Sequence, residues 1–190
     1  MKRYTAFIRH NYDTILRMCK TQYGINNFKN RMIMIAVGTL MAIVGLPVIG
    51  TWIGLLMVMI GCFMITSVDM PARMQADEIK KALGGKYPRN SYEFYDGHFV
   101  ILAQNHDIVN YDRVIRLVED EMYCYLWISR SASYMIEKYS LGKELEGFKA
   151  FMEKHTGKEW EQPQKLMGVN LGTIIRMFKG EGATKKAKKK

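Results

Sequence analysis

The chain has 190 residues, a net charge of +10 and three cysteines. This length leaves room for one domain of about a hundred residues beside any membrane segment. Cys19, Cys62 and Cys124 are widely spaced and form no C-x-x-C motif, which argues against a disulfide framework and against a zinc site.

The N-terminal cytoplasmic segment, residues 1–31, is predicted to hold a strand and a helix. Residues 1–10 alternate in part between apolar and polar side chains, which favours a strand. Asn11 or Asp13 can cap the helix that follows. Apolar residues then recur at helical spacing as far as Gly24. We expect this helix either to pack on the cytoplasmic domain or to lie along the membrane surface.

Residues 32–68 are apolar almost throughout and carry no charged side chain. The stretch is too long for one membrane-crossing helix of about 17–25 residues and just long enough for two. Pro47 disfavours a continuous helix. We therefore predict a transmembrane hairpin with spans at residues 32–49 and 50–68, joined by a turn around Pro47.

Three other interpretations of the apolar stretch fit less well than the hairpin. A buried hairpin in a soluble protein rarely has an uncharged run of this length. A cleaved signal peptide would begin nearer the N-terminus than residue 32. A single long span would require a helix that continues through Pro47.

Basic residues flank both ends of the apolar stretch, and the predicted turn has no charge. Lys29 and Arg31 precede the first span, and Arg73 follows the second. By the positive-inside rule both ends face the cytoplasm, and we predict that these three residues contact the membrane surface. Because residues 32–68 contain no Asp, Glu, Lys, Arg or His, the pattern does not indicate a channel or transporter.

Small residues recur in both predicted spans, at Gly38, Ala42, Gly54 and Gly61. They would let the two helices approach each other closely. Glycine is also simply common in membrane helices, and this is the interpretation we favour.

Residues 69–85 are predicted to leave the membrane as a juxtamembrane helix. Met70, Met74, Ile79 and Leu83 recur there at roughly helical spacing, which indicates one apolar face.

Residues 86–157 are predicted to form a small antiparallel β domain closed by a helix. Strand-like segments alternate with turns, of which Asp96-Gly97 is a strong hairpin signal. The predicted strands are residues 91–95, 98–103, 108–111, 114–118, 122–129 and 133–137. Residues 143–155 have the pattern of an amphipathic helix, which would cover one face of the sheet.

The strand at residues 122–129 has two apolar faces. Tyr123, Tyr125 and Trp127 alternate with Cys124, Leu126 and Ile128. A central position in the core is the default interpretation. The alternative is that Tyr123, Tyr125 and Trp127 form an interaction face.

Residues 158–190 combine an amphipathic segment with a polybasic tail. Apolar residues recur at helical spacing between Met167 and Phe178. Residues 179–190 contain six lysines and one glutamate, so this tail carries a charge of +5, half of the net charge of the chain. The predicted contacts with an anionic membrane surface in this tail are Lys185, Lys186, Lys188, Lys189 and Lys190. Alternatively, the amphipathic segment packs on the β domain and the lysines are solvated.

Two histidines raise the question of a metal site. His98 and His106 flank one predicted β hairpin and could approach each other. Two histidines without further ligands are a weak metal signal, so exposed strand-end histidines are the favoured interpretation.

The remaining polar clusters show no pattern of an active site. Glu119, Asp120 and Glu121 lie at a predicted turn, whereas a catalytic carboxylate pair needs burial or a partner. A solvated turn is the favoured interpretation. Ser129 and Ser131 are not part of a nucleophile elbow. We therefore expect no enzyme activity, no cofactor and no metal.

Several short motifs resemble, in their order, the YcxB-like family of bacterial two-helix membrane proteins. They are residues 94–99 (Phe-Tyr-Asp-Gly-His-Phe), 111–114 (Tyr-Asp-Arg-Val), 125–129 (Tyr-Leu-Trp-Ile-Ser), 132–138 and 146–148 (Glu-Gly-Phe). The resemblance covers residues 1–157. It implies a pleckstrin-homology-like fold for the cytoplasmic domain, a curved sheet or barrel capped by a helix. It implies no particular activity.

Together these patterns predict an α+β membrane protein, in which a transmembrane helical hairpin carries a small antiparallel β domain closed by a C-terminal helix. We expect it in the cell membrane, with both termini in the cytoplasm. The expected function is that of an interaction module that binds a protein or anionic lipid headgroups at the inner face, with no nucleic-acid partner. The alternatives are a small membrane enzyme acting on a lipid or peptide, and an oligomeric structural component.

Overall fold

A computed structural model describes residues 1–103 and 106–163, so the predicted contacts of the polybasic tail lie outside the described residues. The fold is α+β, with two four-stranded sheets and a long helical hairpin. The helices are α1 Tyr12–Asn26, α2 Phe28–Gly45, α3 Trp52–Thr66, α4 Met70–Ala82, α5 Lys138–Leu141 and α6 Leu145–Thr156. The strands are β1 Lys2–Arg9, β2 Arg89–Tyr95, β3 His98–Leu102, β4 His106–Asn110, β5 Arg116–Glu119, β6 Tyr123–Trp127, β7 Ser133–Glu137 and β8 Trp160–Glu161.

The first sheet shows that the helical hairpin is an insertion within the β domain. Its strand order is β1-β2-β3-β4, and every neighbouring pair is antiparallel. Arg9 at the end of β1 lies opposite Arg89 at the start of β2. The chain therefore leaves the sheet after β1, forms the hairpin, and returns beside the residue at which it left. The predicted N-terminal strand is confirmed, but it belongs to the same sheet as strands 80 residues later, which local pattern does not reveal.

The second sheet has the order β7-β6-β5-β8. Strands β5, β6 and β7 form an antiparallel meander, as the sequence predicts. The short β8 pairs in parallel with β5, where Trp160 lies opposite Leu117. A strand of two residues is too short to show an alternating pattern. Its pairing partner also lies more than 40 residues away in sequence, so local sequence does not predict it.

Helix α6 covers the core between the sheets, as its amphipathic pattern predicts. Phe148 and Met152 are fully buried. The Phe148 ring meets Phe94 edge-on, with 4.8 Å between the ring centroids, and meets Tyr4 at 5.7 Å. The helix ends at Gly157, which has a φ of 65° and so adopts the left-handed conformation that favours glycine.

The two arms of the helical hairpin are nearly continuous. Helices α1 and α2 meet at Asn27, and a 3-10 turn at Ser67–Asp69 joins α3 to α4. A second 3-10 turn, Leu46–Val48, contains Pro47 and reverses the chain where the sequence predicts. Helix α2 has 18 residues and is about 27 Å long. Helices α2 and α3 pack along each other, and so do α1 and α4.

The buried face of α4 coincides with the predicted one only in its second half. Met70 and Met74 are exposed, whereas Ala72 and Ala76 are fully buried against Ile15 of α1 and its neighbour Cys19. Two helices that pack closely need small side chains at their contact. Ile79 and Leu83, the other two residues of the predicted face, also pack against this contact, so the prediction fails only at Met70 and Met74.

Helix α1 packs on both the hairpin and the β domain. Its N-terminal cap is Asn11 and not Asp13, because the Asn11 side chain accepts from the Thr14 backbone N–H at 2.8 Å. Met18 and Ile25 pack against the main core from the other side of the helix. Of the two predicted placements, packing on the domain is therefore the one observed.

Candidate membrane interface

The outer half of the hairpin exposes a large apolar surface. Both arms are long and apolar enough to cross a membrane, and only 17% of the most apolar 18-residue segment of each arm is buried. Leu40, Ile53 and Phe63 are each more than 60% exposed, and Trp52 at the tip is 82% exposed. The core helices of a soluble protein are mostly buried, so the buried-hairpin interpretation does not fit. Contiguous apolar patches of this extent mark membrane or protein contacts.

Glycines on the two arms allow close contact between α2 and α3. A Cβ added to Gly38 would lie 2.8 Å from the carbonyl oxygen of Gly61, and one added to Gly61 would lie 2.5 Å from that of Gly38. Near the tip, a Cβ added to Gly45 would lie 2.9 Å from the Gly54 carbonyl oxygen, and one added to Gly54 would collide with the backbone of Val48. The interpretation that these glycines are merely common in membrane helices is therefore wrong. Their spacing of seven residues on both arms is the signal that indicates a shared seam.

An ion pair joins the two arms where the apolar half begins. The Arg31 guanidinium donates to Asp69 Oδ1 at 2.6 Å, and the Arg31 side chain is only 9% exposed. It also lies over the Tyr23 ring, at 5.9 Å from the centroid. Gly24 makes space for it, because a Cβ there would be 2.7 Å from Arg31 Nη1. Sequence reasoning missed Asp69 and Gly24, since neither carries a local signal of this contact.

Of the three predicted surface cations next to the hairpin, one is internal. Lys29 and Arg73 are exposed, but Arg31 points into the protein and is paired with Asp69. Arg31 is therefore not a membrane-surface contact. The sequence shows only that a basic residue lies at this boundary. Whether its side chain faces solvent or the protein interior depends on how the helices pack.

The aromatic residues of β6 belong to the core. Tyr123, Tyr125 and Trp127 are 8%, 0% and 2% exposed. The default interpretation of these residues is therefore confirmed, and the alternative of an exposed interaction face is corrected. The Tyr125 hydroxyl donates to Asp120 Oδ2 at 2.8 Å. Burial, with the adjacent Asp120 charge, raises the pKa of Tyr125.

The acidic turn between β5 and β6 is an ordered structural junction and not a solvated loop. Glu119 accepts from Lys138 Nζ at 2.5 Å and pairs with Lys149 Nζ at 2.9 Å. Burial disfavours the charged carboxylate, but the hydrogen bonds from both lysines outweigh it and lower the pKa of Glu119. Asp120 accepts from two backbone N–H groups and from Tyr125.

An open cleft of about 480 Å³ lies between α1 and this acidic turn. Its lining carries both signs of charge, with Asp13, Arg17 and Lys20 on α1 and with Asp120 and Glu121 at the acidic turn. Arg17 lies 3.8 Å from Asp120 and over the Tyr123 ring. Because the lining mixes both signs of charge, the cleft does not favour a ligand of one charge.

The two strand histidines are far apart. In the pairing of β3 with β4, His98 lies opposite Asn110, and His106 lies opposite Leu102. The histidines are thus at opposite ends of the hairpin, about 13 Å apart along the strands. The possible approach of the two histidines is therefore absent, because β3 and β4 pair along their full length, and each histidine lies at the start of its strand, as the favoured interpretation expects. Among residues 1–103 and 106–163 no group of three or more potential ligands could hold a metal ion.

The turn between β6 and β7 packs against the end of α1. Asn26 Nδ2 donates to the Arg130 carbonyl oxygen at 2.6 Å, and Gln22 Nε2 donates to the same oxygen at 3.4 Å. This contact places residues 129–131 beside the base of the apolar hairpin. The sequence gives no sign of it, since Arg130 follows Asn26 by 104 residues.

Comparison with known proteins identifies no relative of this chain. No protein-family profile matches the chain, and neither a curated protein nor a solved structure matches it.

Proposed function

We propose that the protein is anchored in a bilayer by its helical hairpin and holds its β domain against the cytoplasmic face, where the domain binds anionic lipid headgroups. One observation carries this proposal. The exposed apolar surface of α2 and α3 ends at a base where Lys29 and Arg73 are exposed, while the acidic Asp69 is neutralised by Arg31. A hydrocarbon layer would cover the apolar half, and anionic headgroups would meet the exposed cations.

The length of the apolar half supports the membrane part of the proposal. From Met32, the first residue of the uncharged stretch, to Val48, the first arm extends about 27 Å, which is close to the roughly 30 Å of a bilayer core. Trp52 at the tip suits the opposite interface, where indole rings are enriched.

The order of elements supports a pleckstrin-homology-like fold and a place in the YcxB-like family. A four-stranded antiparallel meander is followed by a three-stranded one and by the covering helix α6. In this proposal the hairpin is inserted between the first two strands of that domain. The exposed edges of the domain remain available for a protein partner in addition to lipid.

Orientation is tested by cysteine labelling in intact cells. Single cysteines at Val48 in the hairpin tip and at Ala183 in the tail are introduced into a chain whose three native cysteines are alanine. A membrane-impermeant thiol reagent is expected to label Val48 and not Ala183. Labelling at Ala183 would place the tail outside, and labelling at neither position would contradict a spanning hairpin. The parent without introduced cysteines is the control.

Headgroup binding is tested with the full chain in phosphatidylcholine vesicles. Trace spin-labelled phosphatidylglycerol is expected to associate with the protein more strongly than spin-labelled phosphatidylcholine does. Equal association of the two lipids would contradict anionic-headgroup binding, even if the hairpin spans the bilayer.

A further inference from the structure

We propose that the β6–β7 turn, residues 129–131, is a phospholipid headgroup site in which the Arg130 guanidinium binds the lipid phosphate. This inference deepens the proposed function and rests on it. It assigns headgroup contact to a turn that the sequence places more than 60 residues after the hairpin.

The turn is held at a defined depth. Both side-chain amides that hold it, Asn26 and Gln22, bond to the carbonyl oxygen of Arg130. The backbone of Arg130 is therefore tied to the last turn of α1, while its side chain is exposed.

That depth corresponds to the outer edge of the headgroup layer. Asn26, at the end of α1, precedes Met32, the first residue of the uncharged stretch in α2, by six residues, or about 9 Å at a helical rise. The interfacial layer on each side of a bilayer is roughly 5–8 Å thick. Arg130 thus lies at the aqueous edge of the headgroups, and its long side chain can extend to the phosphates.

The charge at this depth is positive. Lys29 and Arg73 are exposed on the two arms, about 5 and 8 Å from the ends of the uncharged stretch. Neither of these residues nor Arg130 takes part in an ion pair formed within the described part of the chain. Asp69, the carboxylate nearest the stretch in sequence, is held by Arg31. The three cations are therefore free to meet anionic lipid.

The turn itself is well ordered. Ser129 Oγ accepts from the backbone N–H groups of Ser131 and Ala132, at 3.2 and 3.0 Å. This bonding fixes the turn and leaves the Arg130 side chain projecting from it. A guanidinium suits a phosphate, because its planar donors bind two oxygens at once.

A matched pair of substitutions tests the site. Arg130→Gln removes the proposed contact, and Arg9→Gln removes another exposed arginine, at the end of β1 beside the start of α1, about 21 Å further from the membrane. Both full-length variants are placed in phosphatidylcholine vesicles with trace spin-labelled phosphatidylglycerol or phosphatidylcholine. Circular dichroism checks that both are folded.

We expect Arg130→Gln to lower the preference for phosphatidylglycerol about fivefold, since one basic residue at such a surface contributes about 1 kcal/mol. Arg9→Gln should leave it unchanged, and Arg130→Lys should retain part of it. An unchanged preference in Arg130→Gln, or equal losses in Arg130→Gln and Arg9→Gln, would overturn the turn as a site while leaving the proposed function intact. A wild-type chain without any preference would overturn both.

Discussion

Arg31 lies where the polar half of the hairpin meets its apolar half, and its ion pair with Asp69 joins the two arms there. Arg31→Met keeps the length of the side chain but leaves the Asp69 carboxylate unpaired in a partly buried position. We expect a loss of about 2 kcal/mol in the free energy of unfolding, measured by denaturant titration in detergent micelles. Lys29→Met, two residues away and exposed, should change it by less than about 0.5 kcal/mol. Equal effects of the two substitutions would contradict the role of the pair.

Glu119 is the residue whose ionisation should connect stability to pH. Its folded-state pKa is lowered by Lys138 and Lys149 despite its burial, so the unfolded chain binds a proton more readily. The stabilisation is therefore present above the ordinary glutamate pKa near 4.5 and is lost as the pH falls through the lower folded value. We expect Glu119→Gln to destabilise the protein at pH 7 by about 2 kcal/mol and much less at about pH 3.

The check on Glu119 is a series of unfolding titrations between about pH 7 and pH 3. Glu146→Gln is the matched control, because Glu146 is 83% exposed and only 3.8 Å from the same Lys149. A difference between wild type and Glu119→Gln that stays constant with pH would rule out the charge as its cause.

At the scale of elements, the glycine seam should determine how α2 and α3 pack. Gly61→Ala places a methyl group 2.5 Å from the Gly38 carbonyl oxygen, so the helices must separate. Alanine favours an isolated helix over glycine by about 1 kcal/mol, yet overpacking costs about 1–3 kcal/mol. We therefore expect net destabilisation by about 1 kcal/mol in the micelle titration. Gly50→Ala at the tip has nothing within 4 Å and should be neutral or stabilising. Stabilisation by Gly61→Ala would show that the seam is loose.

The elements themselves follow closely from local sequence. Strand β7 has the predicted bounds, and the turn at Asp96-Gly97 and the reversal at Pro47 lie where predicted. Strand β7 follows from the alternation of side chains, the turn from its Asp-Gly pair, and the reversal from the missing N–H of Pro47. Each of these causes acts over a few residues. The predicted face of α4 is right at Ile79 and Leu83 but misses Ala72 and Ala76, because alanine carries little apolar signal although its small size is what permits close contact with α1.

At the scale of the whole molecule, the apolar half of the hairpin should be separable from the rest. The arms meet at the Arg31–Asp69 pair, so a linker of about four glycines can replace residues 32–68. We expect this shortened chain to remain in solution without detergent and to unfold in one thermal transition, as followed by sedimentation and circular dichroism. The full chain without detergent is the control and should sediment. A shortened chain that still needs detergent would show that another surface binds lipid.

The same geometry limits where the chain can be cut to isolate the β domain. A fragment that begins at residue 86, as the sequence alone suggests, would lack β1 and with it the buried side chains of Ala6 and Ile8. It would also expose the edge of β2, which pairs with β1 over most of its length. A shortened protein that keeps residues 1–31 avoids both defects.

By itself the sequence determined that the chain has a two-armed apolar hairpin, a β domain of short strands and a covering helix, because hydrophobic period and turn chemistry are local properties. Only the tertiary structure decided that β1 completes the sheet, that Arg31 points inward to Asp69, that His98 and His106 are apart, and that Arg130 lies beside the base of the hairpin. Each of these depends on contacts between residues that are distant in sequence or on the side of a helix that packs. Such contacts are set by the packing of whole elements, which leaves no mark in a short window of sequence.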